Sequence, residues 1–209
     1  MIIIQGVSMV AQPSSSPPQK MSVAQWRELE RNSHDIKHEY IDGRAYAVSG
    51  GSRDHGQIGG NTVRALEDAI GDTCYVYNSD VAARLSSSRY TYPDATVTCD
   101  KRDQPTDDTE ILAPRVIVEV LSPSTEAYDR GDKFGYYRVC PTIQEYVLIA
   151  TKAQGVDVFR RTDHGWSIYQ HYGPDDTLEL ESVGVSIPVA ALYRRTDVPM
   201  IPDEPVGEV

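Results

Sequence analysis

Glu119 interrupts an otherwise apolar run, RVIVEVL (115–121). Apolar residues fill both alternating sets of that run, as in a central strand covered on two faces. A carboxylate there is costly unless it is paired with a cation or bound to a metal. A structural ion pair and a reactive site both fit. Asp94 follows Pro93 in TYPDATV. A proline within a strand marks an edge, a start or a bulge, and bulges re-aim side chains; Pro-Asp is equally an everyday turn pair. Lys133 falls on the helix expected after the Glu119 strand, with Asp129 four residues earlier as the partner of an ordinary surface pair. Tyr137 stands one turn further on. Glu39 precedes Asp42-Gly43, and its bland reading is an exposed strand residue. Together these residues place a carboxylate on one strand, a second on the next, and a lysine on the following helix. Two carboxylates beside backbone carbonyls suit a hard cation such as Mg²⁺. Such an ion acidifies bound water and neutralises charge on a phosphoryl group. A nearby lysine orients the water or stabilises the developing anion.

The elements that must position them are legible. Ser22-Val23-Ala24-Gln25 has capping-box form and predicts a helix over 22–31. Asp42-Gly43 between two short mixed runs predicts a hairpin. Asp54 reads as the cap of a helix carrying Ile58, Val63, Leu66 and Ile70 on one face and stopped by Gly71. Gly59 and Gly60 weaken that helix and point to close packing. Strands are expected at 74–84 and 90–99, then a polar loop at 100–110, then the strand bearing Glu119. Ser122-Pro123-Ser124 opens a helix near 125–139, stopped by Pro141. Strands at 144–150, 156–161 and 166–172 and a short helix at 188–194 complete the body. This order predicts an α/β or α+β fold around a mixed sheet.

Composition narrows the function. The chain has 209 residues and a net charge of −11, with 40% hydrophobic and 24% charged residues. Setting aside the lysine of 1–20 and the four acidic residues of 197–209 leaves −8 on the body. That argues against an architectural DNA binder but not against a nucleic-acid enzyme, whose local field can oppose the global one. Cys74, Cys99 and Cys140 form no CxxC pair, so neither a disulfide scaffold nor a structural zinc site is expected, and a reducing cytoplasm is the default. No apolar run approaches the ~18 residues of a membrane helix, so no membrane partner is expected. Residues 1–20 read as a disordered leader, 21–196 as one domain and 197–209 as an acidic tail, with Met9 or Met21 as alternative starts. The glycine-rich stretch SGGSRDHGQIGG lacks GK[ST] and follows no buried strand, which excludes a phosphate loop. GxSxG and HExxH are both missing. The five histidines lack metal-ligand spacing, and His55, at a helix start, reads as a surface or capping residue.

HEYIDG, the YPD of TYPDATV, PRVIVEVLSPST, DRGDKFGYY and EYVLI resemble the Uma-type restriction-endonuclease-like family of the PD-(D/E)XK nuclease superfamily. The resemblance spans about 22–194. It implies an αβββαβ core with a mixed central sheet and a Mg²⁺- or Mn²⁺-dependent endonuclease acting on DNA. It carries metal binding onto Asp94 and Glu119, with the backbone of Val120 as a further ligand, and matches Glu39 to an upstream acidic residue. The superfamily places a lysine two residues after the second acid. Leu121 stands there in this chain, and the family pattern implies that Lys133 replaces it. Tyr137 and Glu145 are secondary candidates. DNA is the implied partner; RNA, unpaired or branched DNA and a homodimer stay open. The competing reading is a non-catalytic DNA-binding or protein-interaction module on the same fold. The acidic body counts against phosphate binding. Arg44, Arg53, Arg84, Arg89, Arg115, Arg130, Lys133 and Arg138 are the cations from which a local patch could be built.

Overall fold

The capping box forms as its residues predict. The Ser22 hydroxyl accepts from the Gln25 N–H while the Gln25 side chain accepts from the Ser22 N–H, and together they start α1 (Val23–Asn32). The computed structural model describes residues 20–48 and 50–200, so most of the expected leader and the acidic end of the tail lie outside it. Asp42 and Gly43 both take positive φ, 48° and 93°, and join β1 (His38–Ile41) to β2 (Arg44–Ala47) in the expected hairpin. Next comes α2 (Arg53–Ile70). Its cap is Ser52, not the expected Asp54: the Ser52 hydroxyl accepts from the His55 N–H, one residue pair earlier than the sequence suggested.

The two long strands expected at 74–84 and 90–99 each break in two. Turn residues Ser79 and Asp80 separate β3 (Tyr75–Asn78) from β4 (Ala82–Ser86). Pro93, which has no N–H to give a ladder, separates β5 (Arg89–Thr91) from β6 (Ala95–Thr98). A two-residue β7 (Glu110–Ile111) precedes β8 (Val116–Val120), which carries Glu119. The following helix, α3 (126–139), is one continuous element in three parts: Glu126–Tyr128, a wider π segment at Asp129–Lys133, and Phe134–Val139. Then come β9 (Glu145–Ile149), β10 (Val156–Thr162) and β11 (Gly165–Tyr172). A hairpin of β12 (Thr177–Leu180) and β13 (Val185–Pro188), absent from the sequence reading, leads into α4 (Val189–Leu192).

Two sheets result. The larger runs β11-β10-β9-β8-β6-β3 and is mixed, because β8 and β9 are parallel while its other neighbours are antiparallel. Without the excursion through β4, β5 and β7, the elements building it read α2, β3, β6, β8, α3, β9, the expected αβββαβ order. The second sheet runs β2-β1-β5-β4-β7. Alternation along β8 assigns its faces. Val116, Val118 and Val120 join the larger core beneath α2, the β12–β13 hairpin and α4. Ile117 and Leu121 face Tyr137, Ile143 and Tyr146 in the second core beneath α3, and Glu119 points the same way. On the second sheet Tyr40 and Tyr90 pack on Trp26 of α1, so Glu39 and Ile41 face the opposite side, toward α3.

Two sequence expectations are corrected by the tertiary fold. Cys74 and Cys99 form a disulfide. They flank the β3–β6 pair next to the register partners Tyr75 and Thr98, so pairing distant in sequence sets them side by side. Cysteine usage therefore gives no support for the expected reducing compartment. Ordered packing also extends past the expected tail boundary: Val198 is buried, and Gln154 bonds the backbone of Val198 and Pro199. Among the described residues no helix is long and apolar enough to cross a membrane.

Glu145 leaves the list of site candidates. Both its oxygens are fully engaged: Oε1 accepts from Arg160 Nε at 2.9 Å and Glu181 N at 3.1 Å, Oε2 from the backbone and hydroxyl of Ser182. It clamps the β12–β13 turn to the large sheet. Glu145→Ala strands the Arg160 charge in the core and is expected to cost about 3–5 kcal/mol. Urea unfolding should show that loss, while any activity per folded molecule stays unchanged.

Candidate active site

Pro93 sets up the first site residue. It ends β5, and the chain re-enters the ladder only at Ala95, so the β8 edge opposite Asp94 has no strand partner. The Asp94 carboxylate takes that place, with Oδ2 accepting from Val120 N–H at 2.7 Å. Asp94, in the bend before β6, is thereby held beside Glu119 near the C-terminal end of β8. Glu119 is 4% exposed, and its Oε1 accepts from Tyr137 Oη at 2.6 Å and pairs with Lys133 Nζ at 2.8 Å. Tyr137, the second-rank candidate, also reaches Thr91 on β5, so it ties the two sheets together behind the carboxylate.

Lys133 comes from α3. Leu121, two residues beyond Glu119, is buried among Ile117, Tyr137 and Tyr146 and contributes to the core instead. The π segment widens the helix, and both Asp129 and Lys133 are buried on its inner side. Such segments recur at functional sites because an extra residue per turn redirects side chains. Tyr146 of β9 fixes the segment by donating to the Asp129 carbonyl at 2.9 Å. The Lys133 ammonium lies 3.2 Å from Glu39 Oε1 and 3.8 Å from Asp129 Oδ1 as well as against Glu119. The i,i+4 pair with Asp129 therefore exists, but buried and as the longest of three contacts. Glu39 is buried too, and it also accepts from the Tyr92 N–H at 3.2 Å.

These groups line one cleft of about 400 Å³ between the two sheets and α3. Five carboxylates, Glu39, Asp94, Glu119, Asp129 and Asp132, line it against one lysine. Burial works against the ammonium, yet Glu119, Glu39 and Asp129 hold Lys133 well above the usual lysine range. Burial pushes the Glu119 carboxyl up to about 8, against the pull of Lys133. Asp129 is raised, again by burial first. The surplus of carboxylates over cations attracts a further positive charge.

His55 is the residue that the sequence reading misplaced. It is largely buried against the cleft wall and not on the open surface. Nε2 lies 3.4 Å from Asp94 Oδ2, and the ring lies near the Val120 backbone. The Asp94 contact is the main cause of a raised imidazole pKa. Ser52 caps the helix and turns His55 inward, and Gly51 makes room: a Cβ on Gly51 would come within 2.5 Å of the imidazole. The signal was present as Gly50-Gly51 before the helix, but only tertiary packing shows what the glycine clears.

The donor set can be tested for a hard cation. Among the described residues the hydrogen bonds to Glu119 fall on Oε1 and those to Asp94 on Oδ2, which leaves the other oxygen of each without a hydrogen-bond donor. The backbone of Val120, next to the His55 ring, is the third expected ligand. Among the described residues no three His, Cys, Asp or Glu side chains form a ready-made cage. Mg²⁺ needs none, because it keeps several waters and is usually held through one or two carboxylates. The residues fit such an ion.

Comparison with known proteins agrees with this fold. Residues 23–190 match the family Uma2, described as "Putative restriction endonuclease". The uncharacterized Synechocystis protein slr1290 is 39% identical over 192 residues, covering 89% of this chain and 98% of its own. A second uncharacterized Synechocystis protein, sll1609, is 30% identical over 164 residues, covering 76% of this chain and 92% of its own. The crystal structure of a putative nuclease belonging to DUF820 from Anabaena variabilis superposes with a TM-score of 0.64, covering 80% of this chain and 96% of that one. At 17% identity that likeness is one of fold alone. Because the family match takes in nearly all of the folded body, and with it both strands and the helix that form the cleft, the chain belongs to the Uma2 family.

Proposed function

We propose that this protein is a Mg²⁺- or Mn²⁺-dependent endonuclease that hydrolyses DNA phosphodiester bonds in the cleft between the two sheets. The observation that supports it best is the placement of Lys133: a buried ammonium 2.8 Å from Glu119 and 3.2 Å from Glu39, at the bottom of a cleft with surplus carboxylates. A purely structural pair would be neutral and closed, as Glu145 and Arg160 are. This one is neither.

In this reading Asp94 and Glu119 hold the cation through their unengaged oxygens, with the Val120 carbonyl beside them. The ion supplies an acidified water and charge neutralisation at the phosphoryl group. Lys133 presents a fixed positive charge to the anion that develops as the phosphorus is attacked. Its desolvated position makes that charge more effective than an exposed lysine would be. Glu39 and Asp129 keep the ammonium aimed. Tyr137 holds Glu119 in one rotamer, and His55 holds Asp94, so neither carboxylate reorganises during the reaction. Protein expected to serve as a non-catalytic module would have no need of a lysine aimed into an open acidic cleft.

Nicking of supercoiled plasmid and cutting of single-stranded DNA, each with Mg²⁺ or Mn²⁺, test the reading. Metal-dependent cutting is expected from the natural chain, and Glu119→Ala should lower it at least about a hundredfold with circular dichroism unchanged. Equal cutting by the two proteins would remove Glu119 from the site. Absence of cutting in every condition would favour the binding module. Lys133→Ala is expected to lower kcat roughly a hundredfold or more while changing the affinity for Mn²⁺, measured by calorimetry, far less. A variant that loses metal binding and retains turnover on saturation would assign Lys133 to the metal shell instead.

A further inference from the structure

We propose that the mouth of the cleft is a stacking platform for the bases of an unpaired DNA strand, built from Tyr46, Tyr128 and Tyr136 and flanked by Arg44 and Arg89. The inference rests on the nuclease reading for the identity of the polymer, and it names the form of the substrate.

Strand register puts the parts together. On the face of the second sheet that looks into the cleft, Glu39 of β1 pairs with Tyr46 of β2. One row further out, Ile41 pairs with Arg44 on one side and with Arg89 of β5 on the other. A line from the buried lysine outward therefore meets Glu39, then Tyr46, then two arginines. Tyr128 and Tyr136 approach from α3 and line the same cleft. The Arg89 guanidinium lies over the Tyr136 ring at 4.7 Å from its centroid.

These tyrosines differ from those that build the fold. Tyr40, Tyr92, Tyr137, Tyr146 and Tyr193 each donate a hydroxyl hydrogen bond. Tyr46, Tyr128 and Tyr136 bond nothing through theirs among the described residues, although a tyrosine retained for packing usually finds a partner. Tyr46 is 44% exposed and Tyr128 37%. Their ring faces are available at the entrance of a site whose working groups, Glu119 and Lys133, are only 4% and 7% exposed.

That depth selects the substrate. In a duplex the base faces are already stacked, and only phosphates remain to be gripped, which needs many cations. The mouth offers two arginines, one of which already shares its charge with Asp42 at 2.7 Å, on a strongly acidic chain. An unpaired strand can place bases on the tyrosines and dip its backbone to buried groups. Base stacking on aromatic rings is sequence-tolerant and needs little net positive charge.

The test is fluorescence anisotropy of the full chain, in Ca²⁺ buffer, with a fluorescein-labelled mixed-sequence oligodeoxynucleotide as single strand and as duplex. The single strand is expected to bind at least about tenfold more tightly. Its affinity should fall with salt at a log–log slope of about −1.4, as for two phosphate contacts on a single strand. Y46A combined with Y128A should weaken binding roughly tenfold or more, and Y46F combined with Y128F should restore it. Because both positions are exposed, an unchanged melting temperature is expected and checks folding. Equal or tighter binding of duplex, or equal loss in the alanine and phenylalanine variants, would overturn the platform. Tyrosine-dependent single-strand binding without cleavage in any metal would leave the platform standing and sink the nuclease reading. Cutting without strand preference would do the reverse.

Discussion

Burial of Glu119 beside Lys133 is the interaction on which the rest of the architecture depends. A carboxylate in the centre of a two-faced apolar strand is expensive, and a lone lysine beside it is equally so. The pair is tolerated because every neighbouring element contributes. β1 brings Glu39 to the ammonium, the π segment of α3 brings Asp129, and Tyr137 donates to the carboxylate. Deleting one member leaves an uncompensated charge in the core.

A comparison within the molecule sharpens this. Val116 and Glu145 are register partners on the parallel strands β8 and β9, so Glu119 and Glu145 lie on the same central pair of strands and both are buried. Glu145 has donors on both oxygens and closes a structural joint. Glu119 has donors on one oxygen only and faces a cleft. Burial and residue type are the same; the distribution of hydrogen bonds separates a structural staple from a candidate site. The same criterion separates Tyr137, bonded at the back of the site, from the three tyrosines at its mouth.

The two sheets divide the work. The large mixed sheet supplies Glu119 from β8, and the bend leading into β6 supplies Asp94. The smaller sheet, anchored on its far face by Trp26 against Tyr40 and Tyr90, supplies Glu39 and the rim. α3 joins them with Lys133. α2 adds His55 from its first turn, where Gly51 leaves room for the ring. The candidate groups are thus held by elements packed into separate cores, and Asp94, in the bend between β5 and β6, is pinned by its bond to the Val120 N–H.

The sequence by itself determined the mixed α/β architecture, the strand bearing Glu119, the hairpin at Asp42-Gly43 and the helix carrying Lys133, because hydrophobic period and turn chemistry are local. It also singled out Glu119, since a charge in an apolar run is anomalous wherever the run folds. Tertiary structure alone decided the rest. His55 read as a surface residue because nothing nearby in sequence shows that Ser52 turns it toward Asp94. Glu145 stood as a secondary candidate because its structural partners, Ser182 and Arg160, come from distant elements. Cys74 and Cys99 met only through β3–β6 pairing. In each case the deciding contact joins residues far apart in the chain, and periodicity carries no information about which strands will be neighbours.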